Sequence, residues 1–167
     1  MTTVGTQLPE LRIEATPTFV VSSALATRDF QDVHHDRDAA QARGSADIFV
    51  NILTDTGLVQ RYVTDWAGPS ALVRSISIRL GVPCYAYDTL VFSGRVVAAD
   101  GPEMTVEVRA AGELGDHIVG TVRLSVAPTP TMAALPDSPP GIRHRPRSAS
   151  QSRRHGPRGY CCQRLSP

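Results

Sequence analysis

The chain has 167 residues, enough for one ordinary domain, and 41% of them are hydrophobic, which is adequate for a core. The formal net charge is +1, so the composition gives no reason to expect bulk attraction to nucleic acid or to a membrane surface. There are three cysteines, two of them adjacent near the C-terminus, and they match neither a disulfide framework nor a zinc-ligand spacing.

The N-terminal segment has no basic start followed by an apolar run, so we predict that it is not a secretion signal. The longest apolar stretch contains Asn51 and Asp55, which argues against a membrane span. Together these observations predict a cytoplasmic protein. The first predicted element is a strand over residues 16–22, which would complete a sheet formed by later segments.

Residues 29–36, DFQDVHHD, contain three aspartates and two histidines, and three interpretations are open. The side chains are competent metal ligands, although neighbours on an extended loop point apart and no second ligand cluster lies elsewhere. A polar turn with solvated aspartates also fits. The third interpretation is an acid/base pair of Asp29 and His34. A bent loop can bring both to one cavity, and imidazole titrates near neutrality.

Two helices are predicted next. A short helix covers residues 37–43, with Asp36 as its N-cap and Gly44 as its C-terminal stop. A long helix covers residues 46–66, and a Gly-Pro pair ends it. Because apolar side chains cover most of its circumference, we expect other elements to enclose this helix. The expected apolar stripe contains Ile48, Phe49, Ile52, Leu53, Thr56, Gly57, Val59, Val63 and Trp66.

Residues 71–127 show an apolar period of two in four successive segments, which predicts four strands with one buried face each. The segments ADGP at 99–102 and GELGD at 112–116 have turn chemistry. We therefore predict a four-stranded antiparallel meander. The alternating apolar positions are Leu72, Ile76, Ile78 and Leu80, then Leu90, Phe92, Val96 and Ala98, then Met104, Val106, Val108 and Ala110, then Ile118, Val122, Leu124 and Val126.

A long buried helix followed by an antiparallel sheet that can wrap it predicts a single hotdog fold of the α+β class, spanning residues 1–127. Such a sheet leaves an exposed edge, which dimerisation usually covers. Residues 128–167 carry eight of the thirteen prolines, seven arginines and one acidic residue. We predict that they form a disordered tail, either a basic arm for an acidic partner or a passive extension.

Two segments resemble the MaoC-like (R)-specific enoyl-CoA hydratases. TRDFQDVHHD is similar to their motif, roughly Ser-Gly-Asp-x-Asn-Pro-x-His-x-Asp, and Asp29, His34 and Asp36 match its Asp, His and final Asp. LGVPCYAYDTL is similar to their Pro-Val-x-x-Gly-Asp-Thr-Leu stretch, with Tyr87 in place of the glycine. The resemblance covers residues 15–127. It is greatest to the small single-hotdog subunits of bacterial steroid side-chain hydratases, which pair with a second MaoC-like chain.

The resemblance implies hydration of a trans-2-enoyl-CoA to a 3-hydroxyacyl-CoA. His34 would activate water for attack at C3, and Asp29 would orient that water and supply the proton at C2. The family often has a His-Gly pair at the start of the central helix, where a backbone amide helps to hold the thioester oxygen. Asn51-Ile52 stands at this position here, so the resemblance implies the same role for a backbone amide near Ile52. Gln31 and Asn51 are further substrate-binding candidates.

The resemblance implies no metal or redox cofactor, since CoA is part of the substrate. The expected partner is a second MaoC-like subunit in a heterotetramer, or a second copy in a homodimer. The motif is altered where Arg28, Gln31 and Asp32 replace its glycine, asparagine and proline, which leaves substrate choice more open than reaction type. The candidates for contacts with the CoA phosphates are Arg74, Arg79 and Arg95.

Two alternatives to a catalytic hydratase subunit stay open. One is an acyl-CoA thioesterase, which a carboxylate on the central helix would favour; Asp55 is the candidate, although we expect it on the polar arc of that helix. The other is a non-catalytic subunit that only shapes the pocket of a hydratase. The remaining predictions are that His35 and His117 face solvent and that Cys84 is packed.

Overall fold

The computed structural model describes residues 2–126, so the predicted tail lies outside the described residues. No helix in this range is long and apolar enough to cross a membrane. In chain order the elements are β1 (Gln7–Glu14), α1 (Pro17–Ala26), a 3-10 turn (Asp32–His34), α2 (Arg37–Ala42), α3 (Ile52–Ala67), β2 (Ala71–Leu80), β3 (Thr89–Asp100), β4 (Glu103–Gly112) and β5 (Gly115–Val126).

The strands form one antiparallel sheet in the order β1-β3-β4-β5-β2. Strands β3, β4 and β5 form the predicted meander, with the predicted turns between them. The expectation that β2 continues this meander beside β3 is wrong, because β2 pairs with β5 and β1 occupies the place beside β3. The apolar face of the sheet packs with α3 in a single hydrophobic core, which is the arrangement predicted for a hotdog fold.

The strand predicted over residues 16–22 is wrong, because these residues begin α1. The Thr16 hydroxyl accepts a hydrogen bond from the Phe19 N–H at 3.1 Å, and Pro17 lies in the first turn, where its missing N–H needs no partner. The strand that completes the sheet is β1. Its register shifts between Leu8 and Leu11, which interrupts the alternation that identifies strands in a sequence.

Both predicted helices are present, although α3 is shorter than expected. Asp36 is the N-cap of α2, and Gly44 has the positive φ (89°) typical of a residue just beyond a helix. Helix α3 begins at Ile52 because the Asn51 side chain caps it, and residues 46–51 are not helical. Segment 46–51 instead runs beside the loop between β2 and β3, with an isolated β-bridge.

The buried face of α3 differs from the predicted stripe in the first turns. Val59 and Val63 are buried as predicted, whereas Ile52 and Leu53 are each more than half exposed. The inward-facing residues of α3 are Thr54, Asp55, Leu58, Val59, Tyr62 and Val63. The helix therefore presents two polar side chains to the interior and two apolar side chains to the surface at its N-terminal end.

Candidate functional site

Three of the ionisable residues in DFQDVHHD have local structural contacts. Asp32 accepts a hydrogen bond from the Arg43 guanidinium at 2.7 Å, and Asp36 caps α2. His35 is exposed, as predicted, and its Nε2 donates to the Phe30 carbonyl at 3.2 Å. Within residues 2–126, no three His, Cys, Asp or Glu side chains are grouped closely enough to hold a metal ion. These contacts leave two residues of the stretch available for chemistry.

Those two residues, Asp29 and His34, face each other. The distance from Asp29 Oδ2 to His34 Nε2 is 3.4 Å, and both side chains are largely buried. His34 Nδ1 lies 2.8 Å from the Phe49 carbonyl oxygen, which can only accept, so Nδ1 carries a proton. In the neutral ring, Nε2 then has a free lone pair on the side of Asp29. A water molecule that contacts both atoms is therefore bound by a base, His34 Nε2, and by the carboxyl group of Asp29.

The backbone between α1 and the 3-10 turn brings the pair together. Arg28 has φ of 59°, a left-handed conformation that reverses the chain after α1. The Asp29 N–H then donates to the Ala24 carbonyl at 2.9 Å, which holds the carboxylate beside the end of the helix. Tyr87, on the loop before β3, also has positive φ (74°). Both residues replace glycines of the family pattern, and the backbone keeps the glycine-like conformation at both positions.

Asn51 is the sequence-predicted substrate-binding residue that lies next to Asp29. Its side-chain Nδ2 donates to Asp29 Oδ2 at 3.0 Å and to the Thr27 hydroxyl at 2.9 Å. Its Oδ1 accepts from the Thr54 N–H at 2.9 Å, which is the N-cap contact of α3. The Asn51 side chain is buried, and these contacts connect the end of α1, the Asp29 loop and the start of α3.

The other two substrate-binding candidates are placed differently. The Gln31 side chain is exposed, and only its backbone N–H approaches Asp29 Oδ1, at 3.4 Å. Ile52 is the first residue of α3, one position after Asn51. The first N–H groups of a helix have no intrahelical acceptor, so the Ile52 amide is free to donate to an external oxygen.

A second histidine–carboxylate pair, which the sequence did not predict, lies in the interior. His117 Nε2 is 3.0 Å from Asp55 Oδ2, and His117 Nδ1 donates to the Val82 carbonyl at 2.6 Å. Asp55 is 0% exposed and His117 is 2% exposed, so the expectations that Asp55 lies on the polar arc of the helix and that His117 faces solvent are wrong. Burial lowers the pKa of His117, but the hydrogen bond to Asp55 and the negative charge of Asp55 raise it by more. The pKa of His117 therefore lies above its ordinary value.

A β-bulge explains why His117 points inward. In the ladder between β4 and β5, Ala110 pairs with Ile118 whereas Ala111 pairs with Asp116, so His117 has no partner residue. The extra residue breaks the alternation of side chains and turns the imidazole towards the helix. An alternation pattern alone assigns His117 to the outer face, and no local sequence signal marks the bulge.

The remaining predicted residues lie on the sheet and its loops. Cys84 is buried as predicted, and burial raises the pKa of its thiol to about 12, with smaller contributions from nearby carboxylates. Arg74, Arg79 and Arg95 are exposed strand residues. Arg74 donates to the Ser125 hydroxyl at 3.0 Å, and Arg95 forms an ion pair with a carboxylate of β4 at 2.7 Å. These positions do not distinguish one arginine as a phosphate contact.

Comparisons with known proteins identify relatives of this chain. No protein-family model matches it. It is 68% identical over 126 residues to the 3-oxo-4,17-pregnadiene-20-carboxyl-CoA hydratase beta subunit of Mycobacterium tuberculosis (strain ATCC 25618 / H37Rv), a match that covers 75% of this chain and 98% of the relative.

Solved structures show the same relationship. A chain in the crystal structure of the ChsH1–ChsH2 complex from Mycobacterium tuberculosis superposes with a TM-score of 0.75 and 68% identity, over 76% of this chain and 100% of that chain. The (R)-hydratase from A. caviae involved in PHA biosynthesis superposes with a TM-score of 0.69 over 75% of this chain and 97% of its own, but at 18% identity it shows only a shared fold. The chain therefore belongs to the MaoC-like hydratase family, among the beta subunits of steroid side-chain CoA hydratases, which confirms the resemblance found in its sequence.

Proposed function

We propose that this chain is the catalytic subunit of an enoyl-CoA hydratase that converts a trans-2-enoyl-CoA into a 3-hydroxyacyl-CoA. The observation that carries the proposal is the arrangement of His34, whose Nδ1 proton is held by a backbone carbonyl and whose Nε2 lies 3.4 Å from Asp29. Because the 68% identical relative is named for a steroid-derived CoA thioester, we propose a steroid side-chain CoA intermediate as the substrate.

The proposed reaction uses Asp29 and His34 together. His34 Nε2 takes a proton from water as the water oxygen forms a bond to C3, and Asp29 supplies a proton to C2, so that one water molecule is added across the double bond. The proton taken up by His34 then returns to Asp29 across the 3.4 Å contact, which restores both groups. Negative charge that develops on the thioester oxygen is stabilised by the free Ile52 amide at the start of α3.

The surface beside the site supports a partner subunit. Phe30, Ile52 and Leu53 are each more than half exposed and are sequence neighbours of the residues that form the site. Large apolar side chains at such a position favour coverage by another chain. We propose a second MaoC-like subunit in a heterotetramer, since the 68% identical chain was solved in the ChsH1–ChsH2 complex, with a homodimer as the alternative. A cytoplasmic location is proposed with it.

The proposed chemistry requires no metal or redox cofactor, because the thioester activates C3 and side chains transfer the protons. CoA enters as part of the substrate and leaves as part of the product. Its phosphates would contact exposed arginines, for which Arg74, Arg79 and Arg95 remain candidates. Single Ala variants of the three distinguish them, because the residue that contacts a phosphate raises KM for the CoA thioester and leaves kcat close to wild type.

The test uses the full chain co-expressed with its second MaoC-like subunit and follows the loss of enoyl-thioester absorbance. We expect His34→Ala to lower kcat by about 10²–10⁴-fold, because it removes a proton-transfer group. His35→Ala is the matched control, since this neighbouring imidazole is exposed and bonds only to a loop carbonyl. It should keep turnover within about two-fold of wild type.

The same assay separates the alternatives. Undiminished turnover by His34→Ala would assign the chemistry to the other subunit and leave this chain a pocket-shaping role. Release of free CoA thiol in place of hydration would indicate a thioesterase. The geometry does not favour that outcome, because the carboxylate of α3 that would serve it, Asp55, is fully buried against His117.

A further inference from the structure

We propose that Asn51 is a positioning residue that sets the distance between the Asp29 carboxyl group and the Ile52 amide, and that it does not bind substrate. The inference rests on the proposed hydration reaction and adds a role for one side chain. Asn51 is 3% exposed and forms hydrogen bonds to three different segments of the chain. It therefore couples the group that supplies the C2 proton to the helix terminus that holds the thioester oxygen.

Every polar atom of the Asn51 side chain is already engaged. The two Nδ2 protons are directed to Asp29 Oδ2 at 3.0 Å and to the Thr27 hydroxyl at 2.9 Å, and Oδ1 accepts from the Thr54 N–H at 2.9 Å. A substrate oxygen would have to displace one of these buried contacts. The expected role of Asn51 in substrate binding is therefore replaced by a role that acts through Asp29.

The orientation of the amide follows from its neighbours. A rotated amide would place its oxygen against the Asp29 carboxylate and its NH₂ group against the Thr54 N–H, which creates two repulsive contacts in place of two attractive ones. In the rotated amide, the Thr27 hydroxyl would also have to donate to the Asn51 oxygen. It cannot, because its proton is already donated to carbonyl oxygens of α1, at 2.8 Å to Ser23. Only a side chain with a donor at one end and an acceptor at the other satisfies all three segments.

This dual contact connects the two halves of the proposed site. The Oδ1 contact to Thr54 fixes where the first turn of α3 begins, and the Ile52 amide belongs to that turn. The Nδ2 contact fixes the Asp29 carboxyl group relative to the same turn. A displacement of about 1 Å in such an arrangement can cost on the order of 10²-fold in rate.

Two substitutions separate positioning from helix capping, in the full chain with its second MaoC-like subunit. Asn51→Ser keeps an effective N-cap but is too short to reach Asp29. We expect kcat to fall by about 10–100-fold, with KM within about two-fold and the melting temperature close to wild type. Asp36→Ser is the matched control, because it also replaces a helix N-cap by serine, in this case the N-cap of α2. The kcat of this variant should stay within about two-fold of wild type.

Asn51→Asp keeps both the shape and the cap but places a carboxylate oxygen opposite Asp29. The added negative charge favours the protonated forms of its neighbours, so we expect the pH profile of kcat/KM to move to higher pH by about one unit. NMR titration of the His34 Cε1–H signal, assigned with His34→Ala, should show the same upward displacement without depending on turnover.

The outcomes distinguish this inference from the proposed function. If His34→Ala loses activity while Asn51→Ser keeps wild-type kcat, the positioning role is overturned and the hydratase proposal stands. A raised KM with unchanged kcat for Asn51→Ser also overturns it, because Asn51 would then bind substrate. If the wild-type protein shows no hydration, the NMR titration still decides: an unchanged His34 titration in Asn51→Asp overturns the coupling to the pair, and an upward displacement supports it.

Discussion

Within residues 2–126, the protein contains two histidine–aspartate pairs with opposite properties. In the Asp29–His34 pair, only Nδ1 of the imidazole is bound to a backbone carbonyl, and Nε2 faces the carboxylate at 3.4 Å. In the Asp55–His117 pair, both ring nitrogens are bound, at 2.6 Å to a carbonyl and at 3.0 Å to the carboxylate. Residue identity is the same, so the difference lies in the imidazole: Nε2 of His34 has no short hydrogen bond, whereas both ring nitrogens of His117 are bound. The carboxylates show the reverse, because Asp55 Oδ1 is buried without a hydrogen-bond partner.

The supporting backbone also differs between the pairs. Asp29 and His34 are five residues apart on one loop that begins with the left-handed Arg28. Asp55 and His117 are 62 residues apart, on the first turn of α3 and on β5, so they join the helix to the sheet. The interior pair therefore joins two distant elements of the fold, whereas the loop pair leaves Nε2 of its imidazole available for the proton transfer proposed above.

The largest expected effect concerns stability and separates the two pairs. His117→Ala leaves the fully buried Asp55 carboxylate without a partner, and we expect it to lower the free energy of unfolding by about 3–5 kcal/mol. Asp29→Ala removes a partly accessible carboxylate and should cost about 1 kcal/mol or less. Urea denaturation of the purified chain measures both values.

A double variant tests the cause of this loss. Adding Asp55→Asn to His117→Ala replaces the unpaired charge by a neutral amide, so part of the lost stability should return. If the double variant is no more stable than His117→Ala, the loss comes from the cavity and not from the buried charge. Equal losses in His117→Ala and Asp29→Ala would remove the distinction between the pairs.

What the sequence predicts correctly here is mostly local. The cap of α2 and the alternating strands β3 to β5 depend on neighbouring residues, so the pattern was sufficient. Asp29 and His34 lie on one loop, so their approach to 3.4 Å also depends on neighbouring residues, and their catalytic role stays a prediction. The pairing of β2 with β5 and the approach of His117 to Asp55 depend on contacts between distant segments, which no local period encodes.

The second prediction is a pH dependence of stability that belongs to the interior pair. The folded-state pKa of His117 lies above its ordinary value, which is about 6.5 in an unfolded chain, since Asp55 outweighs the effect of burial. The protonated form therefore stabilises the fold in full below about pH 6.5, and this contribution is lost as pH rises through the raised folded pKa.

Denaturation of wild type and His117→Gln at pH 6 and at pH 9 measures this contribution. The difference in unfolding free energy between the two proteins should be larger at pH 6, and groups common to both cancel in the comparison. His35→Gln is the control, because its imidazole is exposed and should show no such change. A difference that stays constant with pH would mean that His117 does not exchange its proton on unfolding.

The smallest expected effect concerns the loop that carries Asp29. Arg28→Gly relieves a left-handed conformation that costs a side chain about 1–2 kcal/mol, while glycine loses about 0.5–1 kcal/mol through its greater freedom in the unfolded chain. We expect a net stabilisation of about 1 kcal/mol or less by urea denaturation. Arg43→Gly is the control, because Arg43 has φ of −91° and no strain to relieve, so this variant should be destabilised.

Turnover of Arg28→Gly then shows whether the strained backbone contributes to the site. If the contacts of Asn51 and the Ala24 carbonyl are enough to hold Asp29, kcat should stay within about two-fold of wild type. A gain in stability with a fall in kcat would mean that a stiff residue before Asp29 helps to keep its carboxyl group opposite His34. The interior pair offers no such trade, because helix α3 and strand β5 hold Asp55 and His117 through regular backbone hydrogen bonds on either side of a single bulge.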